Sequence, residues 1–322
     1  MRRVMVSGGT GFIGANLVRR LLHDGNEVHV LTRPDCHVWR IQDILDDLHI
    51  HWVDLEDRDR VAGVVDEVEA EWHFNLAVYG AYPFQTDVRR MFSTNVLGTV
   101  NLVQAALQTG FEAFVHTGSS SEYGQKAYPV GESEWLEPNS NYAVTKASST
   151  LFCRYAGKHE GAAIRTLRLY SAFGPWEEPS RLMPTLVLAG LLGRLPPLAN
   201  PRTARDYVYI DDVIDAYLLA ASVPDQEPGA VYNVGTGRQA TLQEVVDVAR
   251  QELSIAADPG WGSMPDRSWD TNVWVADSRT IRSALGWHPA HNLVAGFRSL
   301  ANWVRDDPAV RQLYEHPVPA TT

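Results

Sequence analysis

At 322 residues the chain is long enough to bury a large core, as one big domain or two modest ones. Its 28 basic against 39 acidic side chains give a formal charge of −11, which argues against a nucleic acid or an anionic membrane as partner. Any anionic small ligand must therefore be met by locally placed arginines. Apolar content of 45% and charged content of 21% are those of an ordinary soluble globule, and no apolar run reaches the ~18 residues needed to span a bilayer. Met1-Arg2-Arg3 leads into the first strand without a secretory leader, and Cys36 and Cys153 lack metal-ligand spacing. Free thiols in a reducing cytoplasm are expected.

The run Val4-Met5-Val6-Ser7 ends in Gly8-Gly9-Thr10-Gly11-Phe12-Ile13-Gly14, and the period then becomes helical, with Phe12, Ile13, Leu17, Leu21 and Leu22 on one face. That pattern predicts a strand, a tight turn and a helix. Further strands are expected at Glu27–Thr32, Ile50–Val53, Trp72–Ala77, Ala113–Thr117 and Ala163–Tyr170. Helices are expected at Met91–Gln108 and Tyr142–His159. Alternation of this kind predicts an α/β fold, a Rossmann-type doubly wound parallel sheet. After Gly174-Pro175 the texture turns to prolines, arginines and tryptophans, with helical stretches at Val213–Ala221 and Leu242–Leu253. We read residues 1–174 as the dinucleotide-binding domain, which also takes in 205–225, and 175–322 as a smaller mixed α/β substrate lobe, with an unstructured tail expected at Pro317–Thr322. Trp261, Trp269, Trp274 and Trp287 are expected in the lobe's core.

In the first turn, Gly8 and Gly11 would let the backbone bend and approach a pyrophosphate, and Gly14 would let the helix lie against the strand. Cofactor choice is written at the tip of the second strand, where a carboxylate accepts from a free 2′-hydroxyl and an arginine accommodates a 2′-phosphate. Here Thr32 is followed by Arg33, with no carboxylate until Asp35, so NADP(H) is favoured over NAD(H). Asp54, just after the third strand, is placed to accept from the adenine amino group.

Tyr142 and Lys146 stand at i and i+4 of a predicted helix and share a face. A tyrosine of ordinary pKa is a poor acid or base at neutral pH, and a neighbouring ammonium lowers that value. Upstream, Thr117-Gly118-Ser119-Ser120-Ser121-Glu122-Tyr123-Gly124 ends the fifth strand and can present a serine hydroxyl to the same cleft.

Taken together, these motifs resemble the extended short-chain dehydrogenase/reductase family, the sugar-nucleotide epimerases, dehydratases and ketoreductases. The matching stretches are Gly8 to Gly14, Asn75-Leu76-Ala77, Asn95 to Thr99, Ser119 to Gly124, Tyr142 with Lys146, Gly174-Pro175, Arg205 to Asp212 and Tyr232 to Gly235. The resemblance implies that Tyr142 is the catalytic acid/base. It further implies that Lys146 lowers its pKa and binds the nicotinamide ribose, and that Ser119 hydrogen-bonds the reacting oxygen. It places Thr10, Phe12, Ile13, Leu55, Leu76, Ala77 and Asn95 along the cofactor with the glycines, Thr32, Arg33 and Asp54. Asn75 departs from the family's usual histidine. A homodimer through the helices at Met91–Gln108 and Tyr142–His159 is implied as well.

Arg205 and Arg267 match positions that resemble the diphosphate-gripping arginines of sugar-nucleotide enzymes; Arg181 is a third candidate, and Ser120, Ser121 and Ser171 complete the expected substrate side. Family members that eliminate water resemble one another in carrying carboxylates immediately after the Ser/Thr. Those positions are Ser120 and Ser121 here, and strand alternation would point Glu122 away from the site, so dehydration is disfavoured. Two hydride-transfer outcomes remain: an NADPH-linked 4-ketoreductase, favoured by Thr32-Arg33 and Ser171, and an epimerase holding NAD tightly. A noncatalytic NADP(H)-binding relative and a reductase of a non-nucleotide carbonyl stay as alternatives. The eleven histidines show no metal spacing, and no metal ligand is assigned.

Overall fold

A computed structural model of the chain describes residues 1–224, 226–265 and 271–316. The elements run β1 (Arg3–Ser7), α1 (Phe12–His23), β2 (Glu27–Thr32), a 3-10 segment (Trp39–Asp47), β3 (His49–Trp52), α2 (Arg58–Val68) and β4 (Trp72–Asn75). There follow α3 (Val88–Phe92), a π-helical turn (Ser93–Leu97), α4 (Gly98–Thr109), β5 (Ala113–Ser119), a 3-10 turn (Ser120–Tyr123), α5 (Asn141–Glu160) and β6 (Ile164–Leu169). The remainder comprises β7 (Ser171–Phe173), α6 (Leu182–Leu191), β8 (Ala204–Arg205), β9 (Tyr207–Tyr209), α7 (Ile210–Ser222), β10 (Val231–Val234), β11 (Ala240–Thr241) and α8 (Leu242–Glu252). Last come α9 (Arg279–Leu285), α10 (Leu293–Asp306) and α11 (Pro308–Glu315).

Seven strands form one parallel sheet in the order β10-β6-β5-β4-β1-β2-β3. The order reverses between β1 and β4, the point at which open α/β sheets bind ligands beyond the carboxyl ends of their strands. On one face Val4, Val6, Val28 and Val30 pack with Leu17, Val18 and Leu21 of α1; on the other, Met5 and Phe114 pack with Val61, Val65, Leu102 and Val103 of α2 and α4. This is the expected Rossmann-type sheet. The residues after 175 serve both layers: β8 pairs with β11 and β9 pairs back with β7 in small sheets, while β10 returns to pair with β6 at the edge of the large one.

One difference from expectation positions the site. The helix expected over Met91–Gln108 is interrupted by the π turn at Ser93–Leu97, which adds a residue per turn and brings Asn95 to the inside, 1% exposed. The stretch between β2 and β3 is a 3-10 helix.

Candidate active site

Gly8 has φ +75°, and a Cβ there would lie 2.6 Å from the backbone of Leu76 and Ala77; one on Gly14 would lie 2.1 Å from the carbonyl of Gly8. Both glycines are thus demanded by close backbone approach. The amide of Gly11 bonds to Gly8 O at 3.0 Å, closing the turn. No side chain caps the start of α1, and its first turn holds no acidic residue. The first amides of a helix have no acceptor within it, so this end fits a pyrophosphate without competition. Thr10, Phe12 and Ile13 lie on this turn; Leu76 and Leu55 turn their side chains into the core.

At the tip of β2 the hydroxyl of Thr32 is buried without a partner. Arg33 and Asp54 meet in an open cleft of about 560 Å³ that is also lined by Asp35, Glu56, Asp87, Arg89, Arg90 and Ser93. Asp35 lies 3.4 Å from both Arg33 and Arg90, so it gathers two guanidiniums into one corner. Sequence reading missed Arg89 and Arg90, which α3 carries in, Arg90 meeting Asp35 from 55 positions downstream.

Ser7, Asn75 and His116 stand side by side on β1, β4 and β5. Ser7 Oγ donates to Asn75 Oδ1 at 2.7 Å, and the Asn75 amide donates to Thr99 Oγ1 at 3.0 Å and to His116 Nδ1 at 3.2 Å. His116 Nε2 meets Ser149 Oγ at 3.1 Å, and Ser149 donates to the carbonyl of Lys146. Asn75, where the family usually has histidine, thereby ties the glycine strand to α5. Asn95 has a different task from the expected cofactor contact: its side chain brackets the backbone of Tyr79 on both sides and donates to Thr145 Oγ1 at 2.9 Å. The π turn aims it at protein groups, and every polar atom it has is used.

Ser140 caps α5 through the amide of Ala143, so Tyr142 and Lys146 sit on the first turns. The phenol of Tyr142 is hydrogen-bonded to Ser119, which opposes an upward shift to about 12 caused by burial. Lys146 is 2% exposed; burial pulls its ammonium down to about 8, against the field of Glu122. Tyr142 and Ser119 therefore meet, with the phenol protonated at neutral pH, and Lys146 stands one turn along α5 in the field of the Glu122 carboxylate that also bears on the phenol. Desolvation outweighs the opposing pull of the Ser119 hydrogen bond and the Arg181 guanidinium.

Glu122 is wholly buried because the chain leaves β5 after Ser119 and winds into a 3-10 turn, ending the alternation. Its carboxylate accepts from Ser119 N at 2.8 Å, from Thr150 Oγ1 at 2.9 Å and from Arg168 Nε at 2.7 Å. Arg168 continues to the phenol of Tyr123 at 2.9 Å, which donates to Asn233 Oδ1 at 2.7 Å. Glu122 is an anchor between the serine turn, α5 and β6, and through Arg168 and Tyr123 it reaches β10. The sequence signal was a charge inside an apolar strand, Leu167-Arg168-Leu169, which demands a buried partner.

On the substrate side Ser121 Oγ lies 2.7 Å from Ser119 Oγ, and Ser120 Oγ accepts from the indole of Trp274 at 3.2 Å. The guanidinium of Arg205 lies 5.4 Å over the same indole. Trp274 packs partly buried against the core, as expected, and also joins the serine turn to the arginine, while Trp287 is fully buried, its indole donating to Asp212 O. Arg181 is exposed, 3.8 Å from Glu177, and its field reaches Tyr142. Tyr82, a residue the sequence did not flag, has its field on Tyr142 too. Ser171 holds the backbone of Asp206 through its amide. Arg267 and Trp269 lie outside the described residues.

The profile of the NAD dependent epimerase/dehydratase family matches residues 4–235. A dTDP-glucose 4,6-dehydratase of Streptomyces griseus is 30% identical over 98% of this chain and 97% of its own length. A GDP-6-deoxy-D-mannose reductase of Pseudomonas aeruginosa is 28% identical over 94% and 97%. The crystal structure of Thermus thermophilus UDP-glucose 4-epimerase with NAD superposes with a TM-score of 0.82 at 28% identity, covering 94% of this chain and 99% of that one. From the glycine turn to the Asn-Val-Gly stretch after α7, the chain belongs to the NAD dependent epimerase/dehydratase family.

Proposed function

We propose that this protein reduces a ring ketone, at C4 by preference, of a nucleotide-diphosphate sugar, using NADP(H). The observation that carries the reading is the hydrogen bond between Ser119 and Tyr142 at the carboxyl end of the sheet, with the phenol held in its protonated, donor form and Lys146 one turn along α5. A bound reduced nicotinamide supplies the hydride. As charge develops on the substrate's carbonyl oxygen, Tyr142 gives that oxygen its proton and Ser119 hydrogen-bonds it. Lys146, one turn along α5, stabilises the phenolate left behind. Elimination of water is disfavoured because Ser120 and Ser121 offer hydroxyls, and the nearby carboxylate of Glu122 is spent on Arg168. Arg181 and Arg205, with Arg267 beyond the described residues, would grip the diphosphate.

The preference for NADP(H) rests on Thr32-Arg33 and on Arg89 and Arg90 in the same cleft. Epimerisation with tightly held NAD is the second reading, favoured by the Thermus relative solved with NAD. Val88, Phe92 and Leu97 with Leu151 and Tyr155 of α5 are large exposed apolar side chains, which supports a homodimer through these helices. Among the described residues no helix is long and apolar enough to cross a membrane.

The test is a panel of nucleotide-linked 4-keto-6-deoxyhexoses with NADPH or NADH oxidation as readout, run on the wild type and on Tyr142→Phe. Turnover with NADPH, lost in the variant while cofactor binding is kept, supports the reading. Tightly bound NAD with no NADPH consumption replaces it by epimerisation, and unchanged activity in the variant overturns the role of Tyr142.

A further inference from the structure

At the amino ends of β2 and β3, away from the glycine turn, four side chains share one face of the sheet. The parallel register sets His29 beside His49 and Leu31 beside His51, and strand alternation puts Glu27, His29, His49 and His51 on the same side. Spacing along the chain hides this cluster, because two residues come from each strand and the register joins them.

Glu27 Oε1 is 3.0 Å from His29 Nε2 and 3.9 Å from His49 Nε2, and one donor atom from each residue lies within 4.8 Å of the others. Metal–ligand bonds of about 2.0–2.2 Å in a tetrahedron put ligand atoms about 3.4 Å apart, inside that range. His29 Nδ1 lies 3.0 Å from His51 Nε2. With a cation on Nε2, the proton of His29 sits on Nδ1 and is donated to His51, which fixes tautomer and ring orientation in the way outer partners of metal ligands do. The His29 ring is held between neighbours, its centroid 4.7 Å from that of His49 and 5.3 Å from that of His51. The side chains of His49 and Glu27 are 59% and 37% exposed, giving a path of entry and room for water as a further ligand. The nearby cation Arg3 is occupied by the carbonyl of Val68 at 2.9 Å and by Glu69.

We propose that Glu27, His29 and His49 bind a divalent transition metal of the zinc class, with His51 as outer partner, and that this cation pins edge strand β3 to β2. Two imidazoles and one carboxylate suit Zn²⁺, Co²⁺ or Ni²⁺, whereas Mg²⁺ and Ca²⁺ take oxygen donors. The site is independent of the nicotinamide chemistry.

The test uses the full chain without an affinity tag, stripped with chelator and titrated with Co²⁺ by visible absorption and with Zn²⁺ by calorimetry. One saturable equivalent is expected, with a Zn²⁺-dependent rise in the melting midpoint. Glu27→Gln and His49→Ala, both at accessible positions, are expected to abolish the equivalent and the rise while melting cooperatively. His51→Gln should weaken affinity by about 10–100-fold. Uptake of no equivalent by the wild type, or equal binding by wild type and both ligand variants, overturns the site.

Discussion

Glu122 and Arg168 form a buried ion pair, Oε2 to Nε 2.7 Å, and the other oxygen of the same carboxylate holds the amide of Ser119, the serine proposed to hydrogen-bond the reacting oxygen. Removing one member strands the other charge in the interior. Glu122→Ala is expected to cost about 3–5 kcal/mol in urea denaturation, with most of it recovered in the apolar double variant Glu122→Leu/Arg168→Met. A single variant within 1 kcal/mol of wild type, by the same scale, would refute the anchoring role.

Lys146 carries a stability burden beside its proposed catalytic role. Its folded pKa is depressed to about 8, so between about pH 8 and its ordinary value the unfolded chain holds more protons than the folded one. The sign follows: the penalty is fully present below pH 8, and stability from this group rises with pH above it. Lys146→Met should therefore be more stable than wild type at pH 7, on the order of 1–3 kcal/mol, and inactive. The difference should shrink as chemical denaturation is repeated toward pH 10; a gap that stays constant counts against the depressed ammonium.

The same group sets the alkaline limb of catalysis. Since kcat/KM reports ionisations of the free enzyme, it should fall above about pH 8 as Lys146 loses its proton, while Tyr142, pushed up to about 12, stays protonated throughout. Lys146→Arg should move that limb upward, as a pH-rate profile would record.

Discrimination between the two dinucleotides should reside in Arg33. A charge-assisted bond to phosphate is worth about 1.5–3 kcal/mol, so Arg33→Ala should raise KM for NADPH about 10–100-fold and leave that for NADH nearly unchanged. Equal effects on both would remove Arg33 from the 2′-phosphate.

Leu151 on α5 is 54% exposed beside Tyr155. Leu151→Glu should convert a dimer to monomers in light scattering with far-UV circular dichroism intact. A wild type that is monomeric at micromolar concentration ends the dimer proposal.

Much of the scaffold was legible because periodicity reports which faces are buried. β2 falls at Glu27–Thr32 as read, and α5 begins within one residue of Tyr142. The glycine turn was legible since its chemistry is local. What escaped depends on where distant strands and turns meet. The π turn rotates Asn95 inward through a single extra residue, which no hydrophobic pattern announces. Arg90 joins Arg33 only through the fold, and Trp274 reaches Ser120 across 154 positions.

β10 joins the large sheet only after the chain has traversed β7 to α7, and it covers the open side of β6, whose six residues are all buried. A nascent polypeptide stopped on the ribosome before residue 231 would leave unpaired the backbone amides and carbonyls on the side of β6 that β10 covers, an open edge and a template for self-association. Nonsense truncations anywhere in the last third of the coding sequence up to that point should therefore yield insoluble fragments rather than a free-standing nucleotide-binding half.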